Sequence, residues 1–572
     1  MSQVDEDITQ TGQQSAPRKA APGEPQGRER ARRWGSVPAF MKTARAQTWT
    51  VGIIVFGVAL AFDLYRLGNP SIWFDEAFSV ELARQPLPLL WHIIWGSEPN
   101  MELYYLFLHG WLSLTGLFGW LPTEFVVRLP SAIFAALSSV MVFLLGRRYL
   151  GMAAGIAGAG LYTLNYLQLI YAQQTRAYSM QLLLICIAWY ALFALLSTDG
   201  QSKRWWACFA LAMILAVYAH LFSLLILAAQ VIAYAGLLLL PRAGGSWHER
   251  ARCRLRGFIA MLAIIGVCCI PMFVVSLHGA KTNWLPIPHA NDIFHFFQYI
   301  TTNSALYLLL LFLCCFCAVS IAALSILPDA KPLVQLVTFS SGDDERKVAR
   351  LQQYFPVAFA LVCWLFVPLI ISFVVSQGSL RLFSSRYLVT ILPPLFLLVG
   401  LFIAALRWRT AQLALMLGLF LIALYYVPVY YRSAQVEDWN SAVPWLEQRY
   451  QPGDGLVCFD NDVEQGCQIA VQYYLDAYLS AAHFTADAPG AFSWQNFGPA
   501  NPASGTFAAV DPNALAAYAA KHPRIFYILG RYPDSAAAAK AQAAQDWLDS
   551  HYHLLGRIHT PTVTISLYAS GA

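Results

Sequence analysis

Charge is what this sequence has least of. Only 12% of its 572 residues are Asp, Glu, Lys or Arg and 58% are hydrophobic, whereas a soluble domain carries roughly 25% charged residues. With a mean hydropathy of +0.50, the composition is that of a multi-spanning membrane protein. The net charge of +5 says little about partners, because membrane proteins concentrate Lys and Arg on one side. The basic residues sit in short linkers between apolar runs and carry no nucleic-acid signature. Also missing are a Gly-rich phosphate loop, a zinc-ligand spacing, a nucleophile elbow and any internal repeat. The DNDVE stretch (460–464) has the beginnings of a calcium loop, but the glycine and distal Glu are out of register, so it reads as a turn after a strand.

What is present is a series of apolar runs of spanning length. They start near Thr50, Pro130, Met152, Tyr178, Trp205, Leu224, Phe258, Ala305, Phe355, Tyr387 and Ala411. A twelfth stretch, LYYLFLHGWLSLTGLFGW (103–120), carries His109 mid-run and is broken by Gly110, Gly116 and Gly119. If it crosses the bilayer, Arg147–Arg148, Lys203–Arg204 and the RARCRLR linker (250–256) all fall outside. If it lies in the interface, these basic loops turn inward together with Arg407, Arg409 and the basic N-terminal tail. The positive-inside rule selects the second arrangement.

The expectation is therefore a mostly α, polytopic protein of about eleven transmembrane helices, in the cell (plasma or inner) membrane. Residues 1–46, rich in Gln, Pro, Gly and Arg, read as a disordered cytoplasmic tail; being polar, they lack a cleavable signal peptide. Residues 47–431 form the membrane part. Residues 432–572 change character: GDGLVCFD, PRIFYILGRY and PTVTISLYA read as strands, and SAVPWLEQRY, NALAAYAAKH and AAAKAQAAQDWLDSHY as helices. This predicts a small α/β domain, which the charge argument places outside the cytoplasm. Nine of the eleven cysteines lie in apolar runs or a basic linker and are expected to be free thiols. Cys458 and Cys467, in the outer domain, read either as a disulfide or as two buried thiols.

The outer side then holds four polar pieces: a long first loop (68–129), a turn YAQQTRAYS (171–179), a loop (279–303) and SQGSLRLFSSRY (376–387). They collect Asp75, Glu76, Glu98 and Glu102 in one layer with Arg128, Arg176, Arg381 and Arg386. A carboxylate there can take a proton from a hydroxyl nucleophile, and arginines can hold a phosphate through forked hydrogen bonds. Together these roles describe sugar transfer from a lipid-linked sugar phosphate, through an oxocarbenium-like transition state. Each residue also has a structural reading. Asp75 and Glu76 fit solvated acids at a helix start capped by Ser71 or Asp75, Arg128 and Arg386 fit snorkelling anchors, and His220 in YAHLFS fits a helix end.

Six blocks in order, SIWFDEAFS (71–79), EPNMELYYLFLHGW (98–111), EFVVRLPSAIFAAL (124–137), GRRYLG (146–151), YAQQTRAYSM (171–180) and SSRYLVTILPP (384–394), carry a resemblance. The chain from about residue 50 to 431 resembles the polyprenyl-phosphate-sugar-dependent glycosyltransferases of the GT-C fold, family 39-like. These are related to protein mannosyltransferases and the aminoarabinose lipid A transferase. The resemblance implies an active-site acidic motif in the first external loop, matching Asp75 and Glu76. It also implies interfacial helices in that loop and an external loop matching 279–304. It departs at Gln174–Thr175–Arg176, where many relatives have a Glu, and at Glu98-Pro99-Asn100, where many have His-Pro-Pro.

On this reading Asp75 is the base that activates the acceptor hydroxyl. Glu76 orients the acceptor or raises the basicity of Asp75. Arg176, Arg381, Arg386 and Arg128 are candidate donor-phosphate ligands, and Glu98, Glu102, Tyr104 and Tyr387 candidate substrate contacts. The expected enzyme is an inverting hexosyl- or pentosyltransferase. Its partners are a polyprenyl-phosphate sugar donor, a lipid, protein or polysaccharide acceptor, and the bilayer. A divalent metal stays open as a cofactor without assigned ligands. The rival reading is a transporter or flippase of lipid-linked sugars. That class keeps ionisable groups near the midplane, whereas here Asp63 lies near an outer end and no Lys, Arg or Glu falls mid-span. A non-catalytic scaffold needs no layer of acids and arginines.

Overall fold

Eight helices in the computed structural model are long and apolar enough to cross a membrane: Ala44–Leu64, Glu124–Tyr149, Tyr178–Ser197, Gly245–Ser276, Ala305–Leu324, Tyr354–Val375, Ser385–Ala405 and Arg409–Ser433. The structure describes residues 43–98, 100–198, 203–277, 282, 285–326, 345–459, 466–489, 491–497, 512–530 and 535–570. Most of the expected tail (1–46), the DNDVE turn and parts of the 279–303 loop lie outside these residues. Helices are the open-ended solution here because a bilayer offers no partner for backbone N–H and C=O groups.

The other three expected starts fall on shorter helices. Lys203–Ala219 and Ser223–Leu239 have 17 residues each, the lower limit of spanning length. The run from Met152 is split into Met152–Thr163 and Tyr166–Ala172. Asn165 makes the break: its side chain accepts from the amides of Leu167 and Gln168, and its Nδ2 donates to the Ile300 carbonyl at 2.9 Å. Among the described residues, eight of the eleven expected runs form helices of full spanning length and three form shorter ones. The 103–120 stretch folds as a 16-residue helix, Glu102–Leu117, too short to cross unaided.

Within the membrane part the packing is close. A Cβ on Gly146 would sit 2.7 Å from Gly155 Cα, so glycine at both positions lets helices 124–149 and 152–163 touch backbone to backbone. Trp189 and Trp364 stack with ring centroids 5.0 Å apart, joining helices 178–197 and 345–375.

The first loop is helical. Phe74–Arg84, Leu87–Ile94 and Glu102–Leu117 follow one another and share a core with residues that come hundreds of positions later. Ile72, Tyr104 and Tyr105 belong to one buried cluster with Trp439, Tyr473 and Tyr474. Polar bonds fix the same contact. The Tyr474 hydroxyl receives the Ile72 amide at 3.1 Å and donates to Glu124 at 2.8 Å, and the Tyr473 hydroxyl donates to the Pro122 carbonyl at 2.7 Å.

After Arg432 a four-stranded mixed sheet forms, with order β1-β2-β4-β3. β1 (Gly455–Phe459) and β2 (Arg524–Leu529) are parallel, and β2–β4 and β3–β4 are antiparallel, with β4 at Thr564–Ser570 and β3 at Tyr552–His559. Helices Trp439–Glu447, Gly466–Tyr478, Pro512–Ala519 and Ser535–His551 accompany it. β1, β2 and β4 are the three strands expected from sequence. β3 is an addition, since it is an edge strand whose residues are mostly exposed and lacks the apolar alternation that marks a strand. Cys458 on β1 and Cys467 on the 466–478 helix are joined by a disulfide, their Cα atoms 5.8 Å apart.

Candidate active site

The acid pair sits in the first turn of the Phe74–Arg84 helix. Trp73 is the N-cap and offers no side-chain cap bond, so neither Ser71 nor Asp75 caps this helix. Glu437, from beyond the last span, does so instead. Its Oε2 accepts from the Phe74 amide at 3.1 Å and from Trp439 Nε1 at 2.8 Å. A carboxylate at a helix N-terminus is favoured by the macrodipole, and here it also ties the later chain to the site.

Adjacent in sequence, Asp75 and Glu76 point to different surroundings. Glu76 is fully buried. Its Oε1 accepts from Arg128 Nε at 2.9 Å and from the Thr175 amide at 2.7 Å, and its Oε2 accepts from Arg128 Nη2 at 2.6 Å. Arg128 spends its remaining three N–H groups on the carbonyls of Leu67 (3.1 Å), Pro70 (2.6 Å) and Ser71 (2.9 Å). All five guanidinium donors are used within the protein. The pair is thus a bolt that fastens the first loop to helix 124–149 and to the 173–177 turn. It leaves Arg128 no donor for a phosphate and Glu76 no face for an acceptor. The solvated-acid reading likewise does not describe Glu76.

Asp75 keeps an open side. Its Oδ2 accepts from Arg386 Nη1 at 2.9 Å, with 17% of the Asp75 side chain and 26% of the Arg386 side chain exposed. Arg176 approaches from the other flank and donates through Nη1 to the Asp75 carbonyl and to Ser79 Oγ, both at 3.1 Å. Three of the four expected outer pieces therefore meet at Asp75: the first loop, the 171–179 turn and the 376–387 segment. Burial alone would lower the pKa of Arg176, but Asp75, Tyr178, Tyr105 and Glu98 hold it well above its ordinary value, so it remains a fixed cation. Its Nε has no hydrogen-bond partner among the described residues.

Glu102 opens the Glu102–Leu117 helix and is 1% exposed, with neither carboxylate oxygen hydrogen-bonded among the described residues. Burial pushes its pKa up to about 8, opposed by its own nearby backbone amide and reinforced by Glu98. Tyr104 is fully buried on the same helix, and burial raises its pKa. Tyr387 is buried beside Arg386, its ring 5.2 Å from that of His220 and 5.8 Å from that of Phe222. Arg381 is engaged elsewhere. Its amide donates to Thr282 Oγ1 at 3.1 Å and its Nη1 to the Ser376 carbonyl at 2.9 Å, and no described bond joins it to Asp75. Among the described residues no group of three or more His, Cys, Asp or Glu is placed to hold a metal ion.

Several residues at this site carried no usable signal in the sequence. Thr175 acts through its amide, Glu437 lies some 360 positions from the turn it caps, and Tyr105 and Tyr178 are ordinary aromatics in apolar runs.

These helices, with the loops joined over their ends, make a multi-pass membrane protein of the GT-C fold. Among solved structures it is similar to the apo crystal structure of ArnT from Cupriavidus metallidurans, with a TM-score of 0.51 and 15% identity over 92% of this chain and 98% of that one. It is also similar to the crystal structure of ArnT from the same organism bound to undecaprenyl phosphate, with a TM-score of 0.50 and 14% identity over 91% and 98%. No family model matches the sequence, and no curated protein matches it. The likeness is one of fold.

Proposed function

We propose that the protein is a membrane glycosyltransferase that moves a sugar from a polyprenyl-phosphate donor to an acceptor hydroxyl, with Asp75 as the base. The observation that carries this reading is the Asp75–Arg386 pair: a partly exposed carboxylate held by a cation, at the meeting point of three loops of a GT-C fold. A neighbour of that fold has been crystallised with undecaprenyl phosphate, which supports a lipid phosphate as the donor class.

In the proposed reaction the acceptor oxygen bonds to the anomeric carbon as the bond from that carbon to the phosphate oxygen breaks. The hydroxyl proton passes to Asp75, and the polyprenyl phosphate leaves as a dianion. Arg386 and Arg176 stabilise the charge that gathers on the leaving phosphate. In the resting site Asp75 occupies Arg386. A donor phosphate competes for that guanidinium, which frees the carboxylate as a base once the substrate is in place. Direct displacement of this kind inverts the anomeric centre. Glu76 and Arg128 act as positioning residues, and no step passes through a metal.

We place the site on the outer face of a plasma or inner membrane, with the N-terminus inside. The division into a tail (1–46), a membrane catalytic part (47–431) and an extracytoplasmic α/β part (432–572) belongs to the same proposal. The disulfide supports it, since such bonds persist outside the cytoplasm. The acceptor is a hydroxyl on a lipid, protein or polysaccharide. The test is reconstitution in liposomes with a labelled polyprenyl-phosphate sugar and cell-envelope acceptors. Label transferred to an acceptor supports the proposal. Label carried across the bilayer on an unchanged lipid refutes it in favour of a flippase.

A further inference from the structure

His220 joins two helices, Lys203–Ala219 and Ser223–Leu239. It is 3% exposed. The Phe222 amide donates to its Nδ1 at 3.2 Å, so Nδ1 is the unprotonated nitrogen and the ring proton lies on Nε2. That Nε2–H has no hydrogen-bond partner among the described residues, although a buried N–H without one costs about 1–3 kcal/mol. The ring is held between two tyrosines, with centroids 5.5 Å from Tyr178 and 5.2 Å from Tyr387. Both are neighbours in sequence of the arginines and loops that meet at Asp75.

A donor without a partner in such a place requires a reason, and the helix-end reading supplies only half of one. Capping the turn uses Nδ1 and leaves Nε2 unexplained. Burial and the positive charges of Arg176 and Arg386 push the imidazole pKa down to about 3, so the ring stays neutral throughout the working pH range. A neutral imidazole cannot serve as a general acid there. It can donate one hydrogen bond, at no cost in added positive charge, to an oxygen that the two arginines already attract. The unpartnered Nε of Arg176 is a second free donor of the same cluster.

From this geometry we infer that His220 is a donor-site residue, giving its Nε2–H to a phosphate oxygen of the lipid-linked donor alongside Arg176 and Arg386. The inference rests on the proposed polyprenyl-phosphate reading of the site and adds a third ligand to it. It assigns the residue two separable tasks, one at each ring nitrogen.

Two substitutions separate them. H220N keeps an acceptor near the Nδ1 position for the Phe222 amide and removes the outer donor. H220Q reaches the Nε2 position with a new N–H. Binding of a polyprenyl phosphate to the full-length protein in nanodiscs is measured together with thermal unfolding. The expected result is a melting temperature for H220N close to that of the wild type, with affinity about tenfold or more weaker, as for a lost hydrogen bond to a charged group. H220Q should recover most of that affinity. Wild-type affinity in H220N, or no recovery in H220Q, overturns the inference while leaving the donor class intact. Should H220N fail to fold, H220Q decides alone: retained affinity supports the role and lost affinity overturns it. A wild-type protein that binds no polyprenyl phosphate overturns this inference and the proposed function together.

Discussion

Arg128 and Glu76 satisfy each other almost completely: the carboxylate takes two of the five guanidinium N–H groups at 2.9 and 2.6 Å. The other three go to main-chain carbonyls of the first loop. Breaking one half of such a buried pair leaves the other charged and unpaired, which costs about 3–5 kcal/mol. The E76Q substitution keeps the shape and removes the charge, so it should lower the thermal stability of the detergent-solubilised protein severely. An E76Q protein as stable as the wild type would show that the pair is not the bolt described.

Glu102 gives the protein a pH signature. Its carboxyl is held protonated up to about 8 in the folded state, against 4.5 ordinarily. Between those values the folded protein keeps a proton that the unfolded chain releases. Stability from this group is therefore intact below the lower value and falls as pH rises, by about 1.4 kcal/mol per unit while the gap is open. The E102Q substitution removes the titration. The stability of E102Q relative to the wild type should therefore rise from pH 5.5 to pH 8, measured by denaturant unfolding at both. A difference that does not change with pH contradicts the burial of an ionisable carboxyl.

The Cys458–Cys467 bridge closes a short loop between β1 and the following helix. In the chain-entropy picture it contributes about 2–3 kcal/mol. Protein purified without reductant should show both thiols blocked by mass spectrometry, and C458S should unfold at a lower temperature. Two free thiols would contradict the pairing.

The Glu102–Leu117 helix is expected to lie along the outer interface. Cysteines placed at Leu103 and Leu121 should both react with a membrane-impermeant thiol reagent added from outside. Labelling at one end only would mean that the segment crosses and that every later loop changes side.

Much of this was legible because the physics involved is local. Eight of the eleven apolar runs read from the sequence form helices long enough to cross a membrane, and the short alternating stretches around Cys458, Phe526 and Ile565 announce three strands. Asp75 stood out because a chain this poor in charge had an acid pair directly after a span. What the sequence could not show is how neighbours part company. Asp75 and Glu76 are one residue apart, yet one faces a partly open site and the other a closed ion pair, and that follows from Arg128, 52 positions away from Glu76. Arg128 and Arg386 look alike as loop-end arginines, and only the folded chain shows that all five donors of Arg128 are used within the protein. His220 read as a helix end and is one; its second nitrogen becomes informative only once the neighbouring loops are folded over it.

The central claim is that Asp75 is the base, and one substitution tests it most directly. D75N preserves the shape beside Arg386 and removes the basicity. Sugar transfer from a polyprenyl-phosphate donor by the folded D75N protein should fall by a factor of about 100 or more. Polyprenyl-phosphate binding should be unchanged or tighter, because Arg386 no longer has a carboxylate competing for it. Near-normal transfer by a well-folded D75N protein would contradict the account.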